Sequence, residues 1–304
     1  MLGAALLALA PQVQAAHAAA SAKPAPEKRV MPALLWSLLP GGGEFYLGNT
    51  GAGVSYAALT ATFLVAGAEV QRRNDELGIK DEVNVPELIG EKVWEYSIFS
   101  TYRDAMAAQG VDLRAAHLDD TPTSTLLTAP FNPDYAFRWP VIAAAVLGAA
   151  DGAITSRDHQ LRGIRDVDTA HMFGSTFNRD QASALYAVSD FGVSLGAAAA
   201  EEGLFRGILQ TELQGRWGQT GGLWAAAGTF GAAHIVAPDG SFNPGGVLFA
   251  SAAGAGLGWL YNHDDNRLGT PIAAHFWYDF MVFAASWVVQ PDNNGFGFKV
   301  DFRF

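Results

Sequence analysis

Three short polar motifs lie, in a fixed order, within the most apolar part of this 304-residue chain. They are Glu201-Glu202-x-x-x-Arg206, Phe230-x-x-x-His234 and His275-x-x-x-Asp279. Each lies in a stretch of alanine, glycine, leucine, valine and aromatic residues with the composition of a membrane-spanning helix. Ionisable side chains are costly at membrane depth, so they are rare there and usually mark a function. Two adjacent glutamates, two histidines and an aspartate can activate water, which favours a hydrolytic enzyme buried in a bilayer.

The first motif predicts different roles for its two glutamates. Residues four apart share a helix face, so Glu202 can form an ion pair with Arg206. Glu201 points about 100° away from Glu202 on the same helix. Because the two carboxylates have different surroundings, one can serve as a base while the other is a structural partner of the arginine.

The other two motifs have the same four-residue spacing. His275 and Asp279 can therefore face one cavity, and Phe230 can wall off His234 from water or lipid. Hydrolysis needs a base for water and a donor for the oxyanion. Glutamate and histidine could activate water directly, or Glu201, His234 and His275 could hold a zinc ion that lowers the pKa of water to about 7. There is no His-Glu-x-x-His signature, and the residues alone leave both mechanisms open.

The ordered motifs resemble the EExxxR, FxxxH and HxxxN/D motifs of the CPBP family. This family comprises the CAAX-protease and bacteriocin-processing intramembrane endopeptidases, and the resemblance covers roughly residues 182–290. It implies that Glu201 is the general base and acts with His234 on water. It also implies that Glu202, His275 and Asp279 complete the site and that Arg206 supports it.

The third motif departs from one branch of that family. It ends in Asp279, where eukaryotic CAAX endopeptidases have asparagine. An ionised aspartate cannot donate a hydrogen bond, so it is poorly suited to stabilise an oxyanion. Binding of a metal or orientation of a histidine is therefore the more plausible role for Asp279.

Composition narrows the class of protein. Half of the residues are hydrophobic and only 16% are charged, compared with about 25% in typical globular domains. The net charge of −11 argues against a nucleic-acid partner, which would require a basic surface. The chain has no cysteine, and this excludes disulfides, thiolate catalysis and cysteine–zinc sites.

Apolar segments predict an all-α, polytopic transmembrane helix bundle of about six or seven spans with a polar extramembrane insertion. The expected spans are 52–70, 182–215, 221–237, 246–261 and 271–289, with 141–155 as a sixth and 31–47 as an interfacial or re-entrant extra. The predicted divisions are a signal-like segment 1–29, a first membrane hairpin 30–70, an acidic insertion 71–137, a transmembrane core 138–290 and a tail 291–304.

Three local patterns predict further elements within these divisions. An amphipathic helix is expected near 83–109, within the insertion. The segment 156–181 is expected to be a polar loop whose four arginines favour the cytoplasmic side. The tail from residue 296 alternates apolar and polar residues, which is a strand pattern.

These observations predict an intramembrane endopeptidase that cleaves peptides or membrane proteins in the bilayer, with a bacterial inner membrane as the default location. Two alternatives remain open at this point. One is a non-catalytic immunity or partner-binding protein with the same fold, and the other is a proton- or ion-coupled transporter. In each case the acidic insertion could recruit a protein partner.

Overall fold

A computed structural model describes residues 30–157, 162–236 and 241–303. The signal-like segment predicted at 1–29 lies outside the described residues. Within them the chain is predominantly helical, which confirms the predicted all-α bundle, and one small sheet accompanies the helices.

The elements follow one another along the chain with short connections. The first seven helices are α1 (Val30–Trp36), α2 (Gly42–Leu47), α3 (Thr50–Leu77), α4 (Val85–Ala108), α5 (Thr123–Thr128), α6 (Pro133–Ala136) and α7 (Trp139–Thr155). Strands β1 (Val167–Met172) and β2 (Ser175–Asn178) come next. The remaining elements are α8 (Arg179–Glu202), a π-helical segment (Gly203–Gln210), α9 (Thr211–Ala233), α10 (Pro244–His263), α11 (Gly269–Val289) and β3 (Lys299–Phe302). Three 3₁₀ turns connect some of them, at Ala129–Phe131, Ile164–Asp166 and Pro291–Asn293.

Among the described residues, three helical segments are long and apolar enough to cross a membrane: Thr50–Leu77, Arg179–Ala233 and Gly269–Val289. Helix α7 is a shorter apolar helix of 17 residues. The expected extra segment at 31–47 forms two short helices, α1 and α2, in place of a span.

The segment Arg179–Ala233 is continuous through α8 and the π-helical segment, and it then reverses direction. The reversal occurs at Gly218, whose φ of 73° and ψ of 168° are not helical. A Cβ on Gly222 would lie 2.4 Å from the backbone nitrogen of Gln214, a contact that a straight helix cannot make. The turn separates the two spans predicted at 182–215 and 221–237.

Helix α4 lies where an amphipathic helix was expected near 83–109, and the helix is confirmed, but its buried residues are not confined to one apolar face. Asn84 caps its first turn by accepting a hydrogen bond from the backbone of Glu87 at 3.4 Å. The helix packs against both α3 and α8, and residues such as Ile89 and Phe99 are fully buried. This part of the acidic insertion therefore belongs to the helical core.

The sheet corrects the expectation of a polar loop at 156–181. Strands β1 and β2 form an antiparallel hairpin, with Phe173 and Gly174 at its turn at positive φ. The strand pattern of the tail is confirmed, because β3 pairs antiparallel with β1 on the other side. Phe296 and Phe298, just before β3, are 1% exposed and pack against the ring of Tyr186 on α8.

Close packing against α7 fixes the position of α11. A Cβ added at Gly148 would lie 2.2 Å from the carbonyl oxygen of Tyr278, and one at Gly152 would lie 2.1 Å from that of Val282. Small residues allow such close backbone approach, which drives helix association where lipid removes the hydrophobic term.

Replacing Gly152 by alanine should push these two helices apart. We expect Gly152→Ala to lower the free energy of unfolding by about 1–3 kcal/mol, the usual cost of overpacking, in thermal unfolding of detergent-purified protein. Gly228→Ala in α9 is the matched control, because nothing lies within 4 Å of its added Cβ. Equal stability of the two variants would contradict this packing.

Candidate active site

Helix α8 positions the two glutamates of the first motif. A capping box begins the helix: the Asn178 side chain accepts from the Gln181 backbone at 3.0 Å, and the Gln181 side chain accepts from the Asn178 backbone at 3.3 Å. The helix ends at Glu202, directly before the eight-residue π-helical segment. π-Helical turns are rare and often occur at functional sites.

Glu202 is the centre of a fully buried polar cluster. Its Oε1 accepts a hydrogen bond from Arg206 Nη1 at 2.8 Å and another from His275 Nδ1 at 2.8 Å. Glu202 and Arg206 are 0% and 1% exposed. The structure therefore contains the ion pair predicted from the four-residue spacing, and it adds a bond to α11 that the sequence did not specify.

Arg206 extends this cluster toward α9 and α10. Its Nη2 donates to the carbonyl oxygen of Gly254 at 3.0 Å, and its guanidinium carbon lies 4.6 Å from the centre of the Phe230 ring. The guanidinium is thus matched by an anion, a carbonyl and an aromatic face, which offset the cost of burying its charge.

His275 is surrounded by carboxylates. Its Nδ1 faces Glu202, and its Nε2 lies 3.4 Å from Asp279 Oδ2 and 3.9 Å from Glu201 Oε2. Only a ring protonated on both nitrogens can donate to carboxylates on both sides. As the spacing predicted, His275 and Asp279 lie on one face of α11.

Glu201 has a different environment from Glu202. Its Oε1 lies 3.1 Å from the ammonium group of Lys92 on α4. The Lys92 nitrogen is also 2.9 Å from Glu95 on its own helix. Sequence reasoning missed Lys92, because its partner is distant in the chain. The only available signal was a lysine between glutamates on a predicted amphipathic helix.

His234 lies just beyond the end of α9, at its C-cap position. The span predicted at 221–237 is therefore shorter than expected, and His234 is exposed. Its Nδ1 is 2.8 Å from the carbonyl oxygen of Phe230. Because a carbonyl only accepts, Nδ1 carries a proton, and in the neutral ring Nε2 therefore carries the lone pair. The Phe230 ring lies 4.7 Å from the His234 ring and 6.1 Å from the His275 ring, between centres.

A cavity of about 590 Å³ brings the second and third motifs together. Its polar wall includes His234, His275 and Asp279. The other walls come from α7, α9, α10 and α11 and are mostly apolar, with side chains such as Leu147, Phe249, Leu257 and Leu260. Glu201 contacts His275 but does not line the cavity.

The six predicted site residues therefore lie in one region of the fold. The sequence predicted a zinc site formed by Glu201, His234 and His275. Within residues 30–157, 162–236 and 241–303, no group of three or more histidine, cysteine, aspartate or glutamate side chains has an arrangement that could hold a metal ion. Zinc binding by Glu201, His234 and His275 therefore stays a prediction.

Removing Arg206 should destabilise the protein strongly. Arg206→Met leaves the buried Glu202 carboxylate without its cation, and we expect a loss of about 3–5 kcal/mol in the free energy of unfolding. The double variant Glu202→Gln/Arg206→Met removes both charges and should regain part of this loss. Additive losses in thermal unfolding would show that the two side chains are not coupled.

A comparison with protein families confirms the resemblance of the three motifs. Residues 184–281 match the family model described as "Type II CAAX prenyl endopeptidase Rce1-like", and the matched region contains all three motifs. Comparisons with curated proteins and with solved structures found no match. Together with the apolar helices, the match identifies a multi-pass integral membrane protein. Residues 184–281 are thus similar to the Rce1-like type II CAAX prenyl endopeptidase family.

Proposed function

We propose that the protein is an intramembrane endopeptidase that hydrolyses peptide bonds of membrane-associated substrates. The observation that carries this proposal is the convergence of His234, His275 and Asp279 on the wall of one apolar cavity. Glu201 contacts His275 directly behind that wall, at 3.9 Å. The family match adds that related proteins are proteases.

In the proposed mechanism, Glu201 and His234 together activate water. The lone pair on His234 Nε2 and the Glu201 carboxylate are the two bases available to accept its proton. The resulting hydroxide attacks the carbonyl carbon of the scissile bond, and a tetrahedral intermediate forms. The carbon–nitrogen bond then breaks as the same proton passes to the leaving amine.

His275 is the proposed donor to the oxyanion. Glu202 accepts from Nδ1 at 2.8 Å, and Asp279 lies farther from Nε2, at 3.4 Å. The imidazole is thus held in one orientation, and its Nε2–H is the group that donates to the oxyanion. A fixed donor beside the developing charge costs no reorganisation during the reaction. Asp279 thus acts by orienting a histidine, a role that does not require it to donate.

The cavity also defines the proposed substrate class. Its volume lies within the range of about 300–1,000 Å³ typical of small-molecule pockets, and most of its wall is apolar. Such a surface favours a peptide that carries an apolar group, such as the prenyl chain in the name of the family. We place the enzyme in the cytoplasmic membrane of a bacterium, with the arginine-containing segment 162–179 on the cytoplasmic side.

Removal of either base should abolish cleavage without unfolding the protein. We expect Glu201→Gln and His234→Ala each to reduce cleavage of a prenylated CAAX peptide by about 10²–10⁴-fold, the range of general-base effects. The assay would use purified protein in lipid vesicles. His263→Ala is the matched control, because His263 stacks on Trp259 and does not line the cavity.

Other outcomes would point to the alternatives. Full activity of both variants would contradict the proposed bases. Absence of cleavage by the wild type on a panel of prenylated and unmodified peptides would favour a non-catalytic partner-binding protein. Proton or ion flux into the same vesicles, lost in Glu201→Gln, would favour a transporter.

Metal analysis tests the mechanism separately. The proposed mechanism uses no metal, because the described residues contain no group of three histidine, cysteine, aspartate or glutamate side chains arranged to hold one. We therefore expect substoichiometric zinc in active, detergent-purified protein. Near-stoichiometric zinc, lost in both His234→Ala and His275→Ala, would overturn direct activation by Glu201 and His234.

A further inference from the structure

Helix α4 contributes a cation to the candidate active site from outside the matched domain. Lys92 precedes the matched residues 184–281, yet its ammonium nitrogen lies 3.1 Å from Glu201 Oε1. Both side chains are only 15% exposed. The contact is therefore largely shielded from solvent, where an unpaired charge would be costly.

Glycines on α8 and the π-helical segment create the space for α4. An added Cβ on Gly192 would lie 2.7 Å from Ile89, and one on Gly203 or Gly207 would lie within 3 Å of the Phe99 ring. These close approaches along one side of α8 hold α4 against it over several turns.

Gly196 on α8 leaves room for the start of the Lys92 side chain. An added Cβ on Gly196 would lie 3.0 Å from the Cβ of Lys92. Because Gly196 precedes Glu201 by little more than one helical turn, the lysine leaves α4 close to the carboxylate. A bulkier residue at position 196 would displace the start of the lysine side chain.

Glu95 holds the ammonium group from a second direction. It lies 2.9 Å from Lys92 Nζ, three residues along the same helix, and is 32% exposed. Glu95, Lys92 and Glu201 thus form a chain of alternating charges that runs from the partly exposed side of α4 into the site.

This arrangement fixes the orientation of Glu201. One carboxylate oxygen is held by Lys92, while the other faces His275 at 3.9 Å. The residues just before Glu201 are alanines, which offer no side-chain hydrogen bond. We propose that Lys92 is a positioning residue that holds the Glu201 carboxylate toward His275 and balances its charge. This inference rests on the proposed role of Glu201 as a base.

Substitutions of Lys92 test whether its charge and position support catalysis, apart from any effect on folding. We expect Lys92→Met to lower kcat by about 10–100-fold with KM nearly unchanged, since a misplacement of about 1 Å can cost about 100-fold in rate. Lys92→Arg keeps a cation and should retain most of the activity. Lys80→Met, the same change at an exposed lysine, is the matched control.

A cycle of variants tests the contact without relying on activity. Thermal unfolding of Lys92→Met, Glu201→Gln and the double variant should give non-additive shifts, because either single change already removes the ion pair between the two side chains. Lys92→Gln replaces the methionine variant if that variant does not fold. Additive shifts would overturn the ion pair.

The two proposals fail in different ways. Wild-type kcat in Lys92→Met, beside an inactive Glu201→Gln, would overturn the positioning role and leave the protease intact. If the wild type cleaves no peptide and the cycle of variants is non-additive, the ion pair is confirmed. The protease function and the positioning role of Lys92 are then both overturned.

Discussion

The structure depends on a single carboxylate, that of Glu202. It binds Arg206 one turn along its own helix and His275 on α11, both at 2.8 Å. Arg206 in turn binds the backbone of α10 and packs on Phe230 of α9. A buried anion without partners would be strongly unfavourable. Arg206 and His275 supply partners to its Oε1, while its Oε2 has no hydrogen-bond partner among the described residues. The geometry of the candidate site is therefore linked to the stability of the bundle.

Close helix packing makes this cluster possible. Gly148 and Gly152 bring α7 against the backbone of α11, and Gly203 and Gly207 accept the ring of Phe99 from α4. In a lipid environment van der Waals contact of this kind replaces the hydrophobic effect as the main force between helices. The glycines thus set the distances over which the polar side chains meet.

The two adjacent glutamates are chemically identical, but their different surroundings suit them to different roles. Glu202 is fully enclosed and bound by an arginine and a histidine, which suits a structural role. Glu201 is slightly exposed, and a lysine on a separate helix holds only one of its oxygens. The second oxygen faces His275 at the back of an apolar cavity, where a base for water is needed in the proposed reaction.

The spacing of residues along the sequence predicted several features of the fold and of the candidate site. The four-residue spacings predicted the Glu202–Arg206 pair and the shared face of His275 and Asp279, because a helix imposes those neighbours wherever it forms. Apolar segments predicted the helices, and alternation predicted β3. Other features needed the tertiary structure: the contact of Lys92 with Glu201, the pairing of β3 with β1, and the position of His234 beyond the end of α9. Each depends on contacts between residues distant in the chain or on where a helix stops, and a local pattern of side chains carries no information about either.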